Sequence, residues 1–232
     1  MSSRPPKGKK GEYKSQNSGL RLRDDISYLT DNQEKVFNSD KNVVLNGCAG
    51  TGKSFITSYL AFEAIASGQY EQLIYIRSAV STRDIGFLPG KENEKIEVYE
   101  RPYEDIAAEL YNRGDAYSIL KQKGIVKFIP TSFLRGTTIK NAVIIVDECQ
   151  NMTYHELDSI ITRIGANCQV YICGDYFQSD LQSNGLENLH KVLKAMKSFD
   201  FVEFDLEDIV RSDFVKEYLI AKYSELGKGR IR

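Results

Sequence analysis

Gly47-Cys48-Ala49-Gly50-Thr51-Gly52-Lys53-Ser54 fits the phosphate-loop pattern GxxxxGK[ST], and its flanks fit as well. Glycines let backbone N–H groups wrap a phosphate, the lysine neutralises charge across the β- and γ-phosphates, and a small hydroxyl at a helix N-terminus holds Mg2+. Asn42-Val43-Val44-Leu45-Asn46 is an apolar run of strand length, while residues 53–67 place Ile56, Tyr59, Leu60 and Phe62 at helical spacings. Strand, glycine-rich loop and helix in that order build a mainly parallel sheet with helices on both faces, so an α/β fold is expected.

The remainder of the chain repeats this texture. Strands are expected at 72–76, 125–129, 142–146, 169–173 and 201–204, and helices at about 101–112, 153–163, 185–197 and 213–225. Thr153 followed by Glu156 has the spacing of a capping box. Residues 78–98, with Gly86, Pro89, Gly90 and many charges, read as a long loop of the kind that carries function or moves. Residues 1–26 hold Pro, Gly, Ser, Lys and Asn with too few apolar side chains to offset the entropy of ordering, and are expected to form a flexible arm. Residues 27–232 are then a single P-loop domain, of a size one core supports.

Lys and Arg number 31 against 32 Asp and Glu, so overall charge gives no reason to expect tight nucleic-acid binding. Arg4, Lys7, Lys9, Lys10, Lys14, Arg21 and Arg23, against Glu12, make a basic tail on an acidic body. Cys48, Cys149, Cys168 and Cys173 show no CxxC spacing, which argues against zinc, and two of them sit inside motifs that a disulfide would distort. With no signal-peptide core and no run near the roughly 18 apolar residues that span a bilayer, the expectation is a cytoplasmic chain without a membrane partner.

Val143-Ile144-Ile145-Val146-Asp147-Glu148 is an apolar strand ending in two carboxylates, which a parallel sheet places at the edge where ligands bind. Asp147 would hold Mg2+ through its water shell, and Glu148 would act as general base on an attacking water. Val170-Tyr171-Ile172-Cys173-Gly174-Asp175 closes another apolar strand, and Gln178 just beyond it is a candidate sensor of the γ-phosphate. Arg77, Arg83, Arg135 and Arg163 lie near strand ends or loops. Any of them suits an arginine finger, an ion pair or the rim; Arg135 is preferred because Gly136 beside it permits close approach to a phosphate. His155 and His190 lack metal-ligand spacing, and Tyr99 and Tyr103 suit packing more than stacking on bases.

A family resemblance spans about residues 30–225. It is carried by Asp31-Asn32-Gln33, the phosphate loop, Ile85-Gly86-Phe87-Leu88-Pro89-Gly90, Arg101-Pro102-Tyr103 with Asp105, and Arg135-Gly136-Thr137-Thr138. It continues through Asp147-Glu148-Cys149-Gln150-Asn151, Thr162-Arg163-Ile164-Gly165, Gly174-Asp175 with Gln178, and Asp208-Ile209-Val210-Arg211. The chain resembles the PhoH-like proteins, P-loop ATPases related to superfamily 1 helicase cores. The resemblance implies a RecA-like P-loop NTPase fold, Mg-ATP on Gly47 to Ser54 with Ser54 and Asp147 at the metal, and Gln33 on the adenine edge. Lys53, Glu148 and Gln178 would then face the γ-phosphate, and Arg211 would stabilise charge on the leaving phosphate. Cys149 and Ser212 depart from the family pattern, where a small residue and a histidine are more common.

Superfamily 1 helicases place ATP between two RecA-like halves, and this chain has room for one. A completing arginine must come from its own C-terminal segment or from a neighbouring copy, and a closing head-to-tail contact would build a ring. The resemblance implies a hexamer with RNA or single-stranded DNA in or across its opening. The expected function is an ATP-driven, helicase-like remodeller of RNA or single-stranded DNA; the alternative is an ATP-dependent oligomeric switch or assembly protein. A small-molecule kinase fits less well, because Glu148 suits water activation, and a regulatory GTPase lacks its NKxD tetrad. The basic arm suits either a sequence-independent phosphate contact or a solubilising role.

Overall fold

The computed structural model describes residues 19–78, 92–134, 136, 138–175 and 186–225. In chain order these residues form α1 (Asp31–Asn38), β1 (Asn42–Gly47), α2 (Lys53–Ala66), β2 (Gln72–Arg77), α3 (Glu92–Tyr111) and α4 (Ala116–Gln122). There follow β3 (Val126–Pro130), β4 (Ala142–Val146), α5 (Tyr154–Ile161), β5 (Cys168–Gly174), α6 (Leu186–Ala195), β6 (Phe199–Phe204) and α7 (Asp213–Glu225).

The strands make one six-stranded sheet in the order β3-β2-β4-β5-β1-β6, every pair parallel. Both faces are covered, so the strands read as near-continuous apolar runs, with alternate residues sent to opposite sides. Val43, Leu45, Tyr75, Val143 and Ile145 pack against Leu60 and Phe62 of α2 and Ala107 and Leu110 of α3. Val44, Ile74, Ile144, Val146 and Ile172 face Leu157 and Ile160 of α5 and Leu189 and Leu193 of α6. Each fully buried aliphatic side chain contributes about 1.5–3 kcal/mol. Because β1, β5 and β4 are neighbours and parallel, the three segments that leave their C-terminal ends converge on one edge.

All the expected strands are present, within two residues at their ends, and the capping box at Thr153 is formed in both directions. Three expectations need correction. The long loop drawn over 78–98 ends earlier, because α3 begins at Glu92 and runs through Pro102. Its first half is rich in Glu and Lys, which favour a helix. Pro102 lacks the N–H that would bond the Val98 carbonyl and crowds that carbonyl, a cost met here on an exposed stretch of the helix. Second, α1 and α4 were not anticipated; each spans only about two turns, too short for a clear period. Third, the arm drawn to residue 26 is too long. Leu20 and Leu22 are buried in the core beside α2 and α3, and the Arg23 N–H donates to the Leu110 carbonyl at 2.9 Å. Residues 1–18 lie outside the described residues. Among the described residues no helix is long and apolar enough to cross a membrane.

Candidate functional site

Gly47 ends β1 with φ +138°, pressed so closely on β6 that a Cβ would lie 1.9 Å from the Phe204 carbonyl oxygen. From there the loop turns through Gly50 and Gly52, both at positive φ, into the first turn of α2. That turn carries no acidic residue of its own, so the positive end of the helix is open to anionic groups in the cleft. The Lys53 ammonium lies along the loop and donates to the carbonyls of Gly47 and Cys48, each at 2.7 Å. Ser54, next on the helix, donates its hydroxyl to the Asp147 carboxylate, 3.0 Å from Oδ1 and 3.1 Å from Oδ2. Thus the motifs that end β1 and β4 are in direct contact, across the width of β5.

Asp147 is 6% exposed and takes a third hydrogen bond, from the Tyr103 phenol to Oδ2 at 2.9 Å. Burial pushes the Asp147 carboxyl above its ordinary pKa, as does the adjacent Glu148 charge; the Tyr103 hydrogen bond, the Arg77 guanidinium and the Ser54 hydroxyl pull the other way. The Tyr103 phenol is itself pushed well up, chiefly by burial and then by Asp147, so it stays a donor. A buried carboxylate beside a hydroxyl, at a helix N-terminus, suits Mg2+, which favours one or two protein oxygens, substrate phosphates and water. Among the described residues no cluster of three or more His, Cys, Asp or Glu forms an all-protein cage.

Glu148 sits in the left-handed region at φ +52°, unusual for a residue with a side chain, and lines the cleft together with Asp147. Its Oε2 accepts from Gln150 Nε2 at 2.5 Å. Gln150 Oε1 in turn accepts from the backbone N–H of Asp175, and Asp175 Oδ2 accepts from the Tyr223 phenol of α7, both at 3.0 Å. The Gly174 that precedes Asp175 has no room for a Cβ, which would meet Cys149 Sγ at 2.4 Å.

The cleft above these strand ends measures about 750 Å³. Its walls include the loop residues Ala49, Gly50, Thr51, Gly52, Lys53 and Ser54, with Asp147, Glu148, Arg77 and Arg211. On the other side it is bounded by Ile26, Leu29 and Phe55, and by Asp105, Ile106 and Glu109 of α3. Gln33 stands at its edge but is 2% exposed, its amide donating to the Thr51 carbonyl at 3.0 Å and accepting from the Leu29 N–H at 2.7 Å. It therefore holds the loop. Arg211 comes from the segment before α7, which is tied to the loop by the Val210 N–H on the Gly50 carbonyl at 3.0 Å.

Of the residues singled out by sequence, Gln33, the whole loop from Gly47 and Cys48 to Ser54, Asp147, Glu148 and Arg211 are brought together. Arg135, Gln178 and Arg83 lie outside the described residues. Arg77 reaches the cleft, with its guanidinium 5.7 Å over the Tyr99 ring; Arg163, at the end of α5, is not among the residues that line it. Sequence reasoning gave no role to Gln150, Asp175 or Tyr223, and read Tyr103 as a packing residue, which it is, without its hydrogen bond to Asp147. All but Tyr223 lie inside quoted motifs, but which partner each side chain meets is set by the docking of α3 and α7.

The sequence profile of the PhoH-like protein family matches residues 25–223. The chain belongs to the PhoH-like family. A PhoH-like protein of Synechocystis sp. is 34% identical over 179 residues, which cover 75% of this chain and 54% of the relative. Protein PhoH of Escherichia coli K12 is 33% identical over 192 residues, 81% of this chain and 54% of the relative. This PhoH-like chain thus spans about half the length of the curated relatives it matches. Among solved structures, the large terminase of a thermophilic bacteriophage is similar in fold, with a TM-score of 0.53 at 14% identity over 88% of this chain and 52% of the terminase. At that identity the likeness speaks to the P-loop NTPase fold alone.

Proposed function

We propose that this PhoH-like chain binds Mg-ATP in the cleft and hydrolyses it, and that hydrolysis serves a helicase-like remodelling of RNA or single-stranded DNA. The observation that carries the hydrolytic reading is the contact of Ser54 with Asp147 at the N-terminus of α2, with Glu148 beside it. The loop N–H groups and Lys53 cradle the phosphates, Lys53 giving up its carbonyl partners to do so. Ser54 and Asp147 are the residues that would hold a Mg2+ ion, and the chemistry it would supply there is to offset charge developing on the phosphates. Glu148 orients and deprotonates the attacking water. Gln33 keeps one amide N–H and one oxygen lone pair beyond its two backbone bonds, the complement an adenine edge requires. Arg211, which lines the cleft, would stabilise charge on the leaving phosphate, and Arg135 and Gln178, outside the described residues, keep the roles expected from sequence, arginine finger and γ-phosphate sensor.

The nucleic-acid part and a ring of six copies rest on what membership of the family implies, with the completing arginine supplied by the C-terminal segment or by a neighbouring copy. A second reading, an ATP-dependent switch, is favoured by one observation. The hydrogen-bond chain from Glu148 through Gln150 and Asp175 to Tyr223 leads into α7, whose Phe214 is 79% exposed and Tyr218 59% exposed. A partner on that face would be felt at Glu148.

The test is phosphate release from Mg-ATP with and without single-stranded RNA or DNA, in wild type and Glu148→Gln, with particle mass measured in the same buffer. Turnover stimulated by polynucleotide in a ring, lost in Glu148→Gln with ATP still bound, is the expected result. Turnover indifferent to polynucleotide supports the switch, and no turnover under any condition sinks the hydrolytic reading.

A further inference from the structure

Tyr103 has no part in phosphate-loop chemistry, yet its phenol reaches the carboxylate at the centre of the site. It lies on α3, is 0% exposed, and donates to Asp147 Oδ2 at 2.9 Å. Its ring stacks on Tyr75 of β2, centroids 4.0 Å apart and planes 20° from parallel, and meets Phe128 of β3 at 5.9 Å. The Tyr75 phenol donates to Ser58 Oγ at 2.8 Å, and Ser58 donates to the Ser54 carbonyl at 2.6 Å. The stacked pair therefore grips both partners of the Ser54–Asp147 contact, Tyr103 through the carboxylate and Tyr75 through the backbone that carries the hydroxyl.

We infer that Tyr103 is a positioning residue for the metal-holding carboxylate, an inference that rests on the nucleotide reading of the cleft. A lone aspartate at a strand end can rotate about its terminal torsion, which has a broad, two-fold preference. Tyr103, donating to Oδ2 at 2.9 Å, and Ser54, 3.0 Å from Oδ1 and 3.1 Å from Oδ2, together hold the carboxylate in one orientation at the cleft, as a small cation with strict octahedral geometry needs. Groups that orient metal ligands in this way are worth on the order of 10-fold or more in metal affinity when removed. The inference also gives α3 a function: its placement on the sheet is read out at the metal carboxylate.

The experiment is calorimetric titration of wild type and Tyr103→Phe with the non-hydrolysable analogue carrying an imido group between the β- and γ-phosphates, once in EDTA and once in Mg2+. Electron paramagnetic resonance of Mn2+ in the analogue complex gives metal affinity directly, and a thermal melt checks the fold. Phe keeps the stack and removes only the hydroxyl. The expected result is unchanged analogue affinity in EDTA, with the gain from Mg2+ and the affinity for Mn2+ reduced about tenfold. A metal response within twofold of wild type overturns the inference and leaves the nucleotide site standing. Equal loss in EDTA and in Mg2+ also overturns it, since Tyr103 would then support the cleft as a whole. Absence of analogue binding to wild type would refute the underlying nucleotide reading instead, and the inference with it.

Discussion

Gly47→Ala tests whether the phosphate loop is built on the close approach of β1 to β6. A Cβ there would lie 1.9 Å from the Phe204 carbonyl oxygen, 2.7 Å from its carbon and 2.9 Å from its Cα, all backbone atoms that cannot rotate away. The strands must part. The residue also sits at φ +138°, beyond the left-handed helical region, which costs an L-residue about 1–3 kcal/mol; overpacking of a closed contact adds about 1–3 kcal/mol. At about 2–4 °C per kcal/mol for a protein of this size, the melting temperature should fall by about 10 °C. Gly68→Ala is the control, because Gly68 shares a positive φ of +79° but a methyl group there would have nothing within 4 Å. It should cost only the dihedral, about 1 kcal/mol or 2–4 °C. The effect at Gly47 should spread further, because β6 leads into the segment that holds Gly50 through the Val210 N–H. Nucleotide affinity should therefore drop in Gly47→Ala and not in Gly68→Ala. Equal melting temperatures for the two variants would refute the reasoning.

Glu156 joins the start of α5 to the ends of β2 and β3. Burial would raise its pKa, but hydrogen bonds from the Thr131 hydroxyl, the Thr153 N–H and hydroxyl and the Ser78 hydroxyl outweigh it, and the net shift is downward. A lowered folded pKa means stabilisation that is complete above the unfolded value of about 4.3 and lost as pH falls through the folded one. Glu156→Gln should thus melt about 3–6 °C below wild type at neutral pH, for about 1.5 kcal/mol of charged hydrogen bonding. That gap should close below about pH 4 in melts run across the acid range. Truncation tests the revised N-terminal boundary: removing residues 19–26 in addition to 1–18 exposes the seats of Leu20 and Leu22. Relative to the shorter deletion it should lower the melting temperature by about 10 °C, each buried leucine contributing about 1.5–3 kcal/mol. Equal melts would place the boundary back at residue 26.

The strands were legible because a sheet covered on both faces needs unbroken apolar runs, and Val143-Ile144-Ile145-Val146 or Val170-Tyr171-Ile172 can be little else. The loop was legible because its backbone geometry demands glycine at fixed places. Helix α3 was half missed for the opposite reason, since Glu92 to Glu100 offers helix-forming residues without an apolar stripe, and Pro102 mimics a start. Leu20 and Leu22 were missed because two apolar residues in a polar stretch acquire meaning only when α2 and α3 are there to cover them. At the site, sequence placed the groups that chemistry requires by type, such as Lys53 and Asp147. It could not place Tyr103 or Tyr223, because an aromatic hydroxyl on a helix declares its partner only after the helix has docked.

The same distinction explains how a loop defined by local sequence becomes a device that the rest of the chain can influence. Strand β1, the loop and α2 carry the glycines, Lys53 and Ser54, and two contacts from distant segments hold the loop directly while two more brace its supports and the facing carboxylate. Gln33 of α1 holds the Thr51 carbonyl, and Val210 holds Gly50. Asn32 ties α1 to Asp208, so these two supports are braced against each other across the loop, at 2.7 Å. On the sheet side Tyr103 of α3 holds Asp147. A phosphate that draws Lys53 away from the Gly47 and Cys48 carbonyls disturbs the loop at the points where these segments grip it. On the proposed reading, movement of the loop is expected at α1, at the segment bearing Arg211 or at α3, because packed, hydrogen-bonded contacts shift between discrete arrangements. On the proposed nucleotide reading these bonds are the route from the loop to the outer helices, and each can be removed singly to measure its share of any coupling.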